Sequence, residues 1–279
     1  MTILGDFKRR LAGRKPPALG NGEDGGPYPT VELEFWRPPG ECINFGDFLS
    51  RPVVSLMLAR HGLTLDDETR EPRQLLAIGS ILHFACDNAV IWGSGVNGKI
   101  PPDRYRFSAL DVRAVRGPLT RHFLVGRGIA VPEIFGDPAL LLPYLMPGRF
   151  FPSHMEGPAF VPNLNDMPVL PSLRLDGIPV IAPTQSWNSC VAAILRRSLV
   201  LSSSLHGIVI AEAYGIPARY VRVSERESLF KYRDYYAGTG REEFRYARSI
   251  AEGLEMGGER SPVFAAAPLI EAFPLDLWR

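Results

Sequence analysis

The chain has 279 residues, 46% of them hydrophobic, enough apolar material to bury one large core or two smaller ones joined by a hinge. Thirty-one Lys and Arg against 30 Asp and Glu leave a formal net charge of +1 with interspersed signs, so the clustered positive surface needed by a nucleic-acid partner is not expected. Cys42, Cys86 and Cys190 are odd in number and show no C-x-x-C spacing, and no run approaches the roughly 18 to 20 apolar residues of a membrane span; neither a disulfide framework nor a metal site is expected, and a cytoplasmic compartment is.

Residues 1–30 read as an irregular arm, basic at Lys8, Arg9, Arg10, Arg14 and Lys15 and rich in Gly and Pro thereafter. The basic residues offer a peripheral contact to anionic lipid on the inner membrane face, against the simpler reading of a solvated terminus. From Phe45, the apolar positions Phe45, Phe48, Leu49, Val53, Leu56 and Met57 recur at helical spacing, with Asn44 placed as the N-cap. Short apolar runs bounded by Gly or Asp follow at 75–80, 89–95, 111–115 and 133–137 and read as buried strands. Between the last two, RGPLTRHFLVGRG has helical length and a Gly exit, giving the strand, helix, strand alternation of a parallel sheet.

The Pro- and Gly-containing stretch 143–157 breaks this pattern and is expected to link two α/β units, 31–150 and 151–279, the second with a C-terminal tail. In the second unit, strands are expected at 158–162, 178–183, 198–204 and 217–223, and helices at 186–197 and 205–214.

In open α/β sheets ligands gather beyond the carboxyl ends of strands, where helix N-termini present free N–H groups and a positive dipole end. SSSLHG at 202–207 has this setting and offers Ser203, Ser204 and His206, although a serine there also suits simple helix capping. RAVRGP at 113–118 offers Arg113 and Arg116, one residue off strand alternation, so both face one site only if the strand ends between them; the strand exit favours Arg116. IWGSGVNGK supplies Ser94, Asn97 and Lys99, FGDPAL supplies Asp137, and NFGD supplies Asn44 and Asp47; taken singly, such Gly-Asp-Pro sequences also mark ordinary turns.

Seven segments in order, NFGDFLS, AIGSILHFA, VIWGSGVNGK, LDVRAVRGPLT, GDPALL, SSSLHGIVIAEAYGIPA and FKYRDYYAGTG, resemble the polysaccharide pyruvyl transferase family over roughly residues 42–240, in particular the bacterial exopolysaccharide ketal pyruvate transferases of the xanthan and rhizobial type. The resemblance implies two Rossmann-like domains facing a cleft, as in GT-B glycosyltransferases, with phosphoenolpyruvate as donor substrate and no cofactor. It also implies a lipid-linked oligosaccharide acceptor at the inner membrane face. His206 matches the family's proposed general acid, and Arg116 the arginine assigned to the donor. Where many relatives carry arginine before the Leu-His pair this chain has Ser204, so Arg113, Lys99 and Lys231 stand as substitute cations; Asn163 likewise stands where relatives often have histidine.

Ketal formation needs an acid for the methylene carbon, anion-binding groups for the donor and a base for the sugar hydroxyls. Histidine titrates nearest neutrality, which suits His206 to the first task. Asp47, Asp137 and Glu212 remain open for the base. Glu212 also lies in EAYGIPA, a stretch similar to the E-A-x-x-G-x-P of GT-B nucleotide-sugar glycosyltransferases, which makes such an enzyme the main alternative.

Overall fold

A computed structural model describes residues 27–40, 42–153 and 156–279, so most of the N-terminal arm, including its five basic residues, lies outside the described residues. The first sheet contains β1 (Val31–Glu34), β2 (Arg73–Leu76), β3 (Ala89–Trp92) and β4 (Leu110–Ala114), parallel and in sequence order. The second contains β5 (Ala159–Val161), β6 (Val200–Ser202) and β7 (Ala218–Tyr220), again parallel and in order. The described α-helices are α1 (Phe45–Phe48), α2 (Ser50–Ala59), α3 (Pro118–Val125), α4 (Leu142–Leu145), α5 (Trp187–Leu195), α6 (Leu205–Ala213), α7 (Phe230–Gly238), α8 (Ile250–Met256) and α9 (Ala266–Glu271). The chain is α/β, and among the described residues no helix is long and apolar enough to cross a membrane.

Strand β3 shows why the central runs are apolar throughout. Side chains alternate across a strand, so Val90 and Trp92 enter one core while Ala89 and Ile91 enter the core on the opposite face with Leu76 and Val112. The β3–β4 register shifts between Ile91 and Trp92, where the strand leaves the sheet for the Gly-rich loop.

The expected helix from Phe45 is divided at Leu49. Pro52 has no N–H to offer the Phe48 carbonyl, and its ring crowds that carbonyl, so α1 ends there and α2 starts afresh. Asn44 occupies the N-cap position, but its side chain makes no cap hydrogen bond. Two expected strands shrink to single bridges. Segment 133–137 pairs only through Phe135 with Val115 before Pro138 ends it, and 178–183 pairs only through Val180 with Phe160 because Pro179 and Pro183 lack ladder donors.

The expected division near residue 150 does not separate the packing. One apolar core includes Val90 and Trp92 of the first sheet and Val161, Val200 and Ile208 of the second half. Helix α7 packs on α3, where Gly117 lets the backbone at Asp234 approach so closely that any Cβ would overlap it. The C-terminal tail also returns to the first sheet: Trp92 Nε1 donates to the Leu269 carbonyl at 2.8 Å, and Phe273 meets the Trp92 ring edge-on.

Candidate active site

Loops beyond the carboxyl ends of four strands line one polar cleft with a volume of about 230 Å³. Ser80 and Ile81 follow β2, Asn97 and Lys99 follow β3, Asn163 and Asn165 follow β5, and Ser204, Leu205 and His206 follow β6. Asn44 and Asp47 enter from the start of α1, Glu227 from the approach to α7 and Lys231 from its first turn, and Trp36, His83, Phe84 and Ile100 supply the less polar wall.

His206 is the second residue of α6, whose N-cap Ser204 makes no side-chain cap bond. The ring is packed tightly: a Cβ placed on Gly46 would overlap it at Nδ1, with Cγ only 2.5 Å away. Its other nitrogen, Nε2, faces Asp137 Oδ2 at 3.6 Å. Asp137 is wholly buried, and its Oδ1 accepts from the Ala139 N–H at 3.0 Å, capping the short turn Pro138–Leu141. Asp47 accepts from Asn44 Nδ2 at 2.5 Å. Burial raises the Asp47 pKa above the ordinary carboxylate value, and the neighbouring Asp137 adds to this, against the opposing pull of His206, Lys231 and Asn44.

A second cluster provides positive charge. Glu227 accepts from Lys99 Nζ at 2.6 Å, from Asn165 Nδ2 at 2.8 Å and from Lys231 Nζ. Burial alone would raise the Glu227 pKa, but Lys231, Lys99 and Asn165 together hold it down at about 2. Two lysines meet on one carboxylate, burial lowering the Lys231 pKa against the pull of Glu227, and Lys99 keeps a third of its side chain exposed. Burial and Lys99 lower the pKa of His83 on the opposite wall.

The cleft therefore collects Asn44, Asp47, Asn97, Lys99, Ser204, His206 and Lys231. Other expected site residues serve elsewhere. Arg116 is 1% exposed: Nε donates to Asp234 Oδ2 at 3.0 Å, Nη1 to Ser80 Oγ at 2.5 Å and Nη2 to the Val96 carbonyl at 2.8 Å. It braces the wall behind Ser80 and does not line the cleft. Arg113 points to the surface, paired with Asp111 and Asp276. Ser94 Oγ is spent on the Gly79 carbonyl, and Ser203 Oγ accepts from the Asn163 N–H.

Glu212 accepts from Arg241 at 2.5 Å and from the Tyr235 hydroxyl at 2.7 Å in a buried cluster away from the cleft. Asp137 lies behind His206 and does not line the cleft. Trp36, Ser80, His83, Asn165 and Glu227 were not singled out from sequence. Of these only Glu227 carries a local signal, four residues before Lys231.

A family model described as polysaccharide pyruvyl transferase matches residues 44–225. Succinoglycan biosynthesis protein ExoV of Rhizobium meliloti (strain 1021) is 27% identical over 207 residues, which are 69% of this chain and 60% of that protein. An uncharacterized protein of Acanthamoeba polyphaga mimivirus is 26% identical over 180 residues, 61% of this chain and 62% of its own. The chain thus spans about 60% of the length of these curated relatives. A crystal structure of an uncharacterized protein from Klebsiella pneumoniae subsp. pneumoniae NTUH-K2044 aligns with 75% of this chain and 87% of its own, with 12% identity and a TM-score of 0.41. Because the matched span covers well over half of the chain and contains Asn44, Asp47, Asn97, Lys99 and His206 of the cleft, the chain belongs to the polysaccharide pyruvyl transferase family.

Proposed function

We propose that this protein transfers pyruvate from phosphoenolpyruvate to a sugar of a lipid-linked exopolysaccharide repeat unit, forming a cyclic ketal and releasing phosphate. Two sugar hydroxyls add to C2 of the donor, one of their protons is matched by the proton that turns the methylene carbon into methyl, and the other leaves with the phosphate as the C2–oxygen bond to it breaks. The observation that carries this reading is the convergence of His206, Asp47 and the Lys99–Glu227–Lys231 cluster on one cleft.

His206 is the acid for the methylene carbon. Asp47 is the base for the hydroxyls, since Asp137 and Glu212 do not line the cleft, and a raised carboxylate pKa strengthens that role. Lys99, Lys231 and the N-terminus of α6 receive the donor's carboxylate and phosphate, with Glu227 keeping the lysines in place before the donor arrives. Asn44, Asn97 and Ser204 supply neutral hydrogen-bonding groups for the sugar. The two sheets are read as GT-B-like, with the acceptor's lipid holding the reaction at the inner membrane face.

A nucleotide-sugar glycosyltransferase is less well supported, because the glutamate that would bind a nucleotide ribose is Glu212, already paired with Arg241 and Tyr235. The test supplies a lipid-linked repeat unit with either phosphoenolpyruvate or a nucleotide sugar. Phosphate release and an acid-labile carboxyethylidene group on the product are expected with the first donor only. Transfer of a whole sugar from the second would overturn the proposal.

A further inference from the structure

His206 presents two nitrogens to different surroundings. Nδ1 lies over Gly46, on the side of α1 that carries Asn44 and Asp47 into the cleft. Nε2 faces the wholly buried Asp137 Oδ2 at 3.6 Å, and among the described residues neither of these buried atoms has a hydrogen-bond partner. That distance exceeds hydrogen-bond reach, but a closure of about 0.7 Å would satisfy both atoms at once. A buried carboxylate oxygen without a donor is costly, which gives Asp137 a standing preference for a proton on Nε2.

We infer that Asp137 is a positioning residue that keeps a proton on His206 Nε2 and leaves Nδ1 as the nitrogen that works in the cleft. This rests on the pyruvyl-transfer reading only for what Nδ1 does there. In that reading, Nδ1 delivers its proton to the donor's methylene carbon and is reprotonated from a sugar hydroxyl by way of Asp47, while Nε2–H stays with Asp137. The charged groups around the ring are Asp137 at the Pro138–Leu141 turn, Asp47 on α1 and, beyond Asp47, Lys231 on α7. Asp137 does not meet substrate, so its influence passes wholly through His206.

The local geometry makes Asp137→Asn informative. The Ala139 N–H must still find an acceptor at the Oδ1 position, so the amide oxygen stays there and the NH2 group replaces Oδ2. An amide donor opposite Nε2 favours the ring with its proton on Nδ1 and disfavours the doubly protonated ring. The test records nitrogen-15 NMR of the full chain at neutral pH, with His206 signals identified by their loss in His206→Gln. The neutral ring is expected to carry its proton on Nε2 in the native protein and on Nδ1 in Asp137→Asn. Asp137→Ser, which keeps a capping oxygen but removes the group facing Nε2, is expected to lose the bias.

Turnover of phosphoenolpyruvate by Asp137→Asn is expected to fall about a hundredfold or more, with KM changed less than about twofold. A native ring protonated on Nδ1, or a tautomer that both substitutions leave unchanged, overturns the inference. So does a switched tautomer with undiminished turnover. If the tautomer switches but the native protein does not use phosphoenolpyruvate, the pairing stands and the pyruvyl-transfer reading fails.

Discussion

At the residue scale, the proposed reaction turns on one imidazole whose surroundings leave it almost no freedom. Gly46 is the clearest constraint, because its missing side chain is the space occupied by His206. Alanine is a better helix former than glycine, so Gly46→Ala would not harm α1 by propensity. Its Cβ would instead displace the ring from its seat, and overpacking of this kind costs about 1 to 3 kcal/mol. Turnover is expected to fall at least as far as in Asp137→Asn, with a moderate loss of stability in thermal unfolding. A folded Gly46→Ala protein with native turnover would place the reacting group away from His206 Nδ1. The sequence marked Gly46 only as part of N-F-G-D; its partner lies in another helix and had no local trace.

Among the elements, the junction of β4, α3 and α7 decides the shape of the wall behind Ser80. Asp234 on α7 accepts from Arg116 at 3.0 Å, from the Thr120 N–H at 2.9 Å and from the Thr120 hydroxyl at 2.6 Å, all buried. Arg116→Ala would leave that carboxylate without its cation, a change that costs about 3 to 5 kcal/mol in buried pairs. Urea unfolding is expected to show a loss of that order, and adding Asp234→Asn to the variant should recover part of it. If Arg116 bound the donor directly, the main effect would fall on KM for phosphoenolpyruvate with stability nearly intact. The strand-exit position favoured Arg116 over Arg113 as a site residue, and the structure buries it. Nothing local could show that its charge is already matched by a residue 118 positions away.

Over the whole molecule, Glu227 joins Lys99 from the first sheet's loops to Asn165 from the second's and to Lys231 on α7. Its carboxyl lies at about 2 in the folded protein against an ordinary 4.5, so between these values the unfolded chain binds more protons. The stabilising contribution is therefore complete above about pH 4.5 and is lost as pH falls toward about 2. The shift corresponds to about 3 kcal/mol. Unfolding measured across that window is expected to show the loss, and Glu227→Gln should flatten this part of the profile. An unchanged acid profile in that variant would mean that Glu227 does not couple the two sheets.

The sequence by itself determined the α/β class, most of the strands, helices α3, α5 and α6, and the placement of His206 just after a buried strand. These depend on local periodicity, turn residues and caps, which neighbouring positions carry. It also brought forward Lys99 at a strand exit and Asp47 at a helix start, while Lys231 came only from the family resemblance. Only the tertiary structure decided which polar groups were free for chemistry. Arg116, Ser94, Ser203 and Glu212 look equally available in sequence, yet each has a partner supplied by another loop or helix. The return of α7 and the tail to the first sheet was hidden for the same reason. Such contacts depend on distant apolar and charged surfaces meeting, and no window of adjacent residues contains that information.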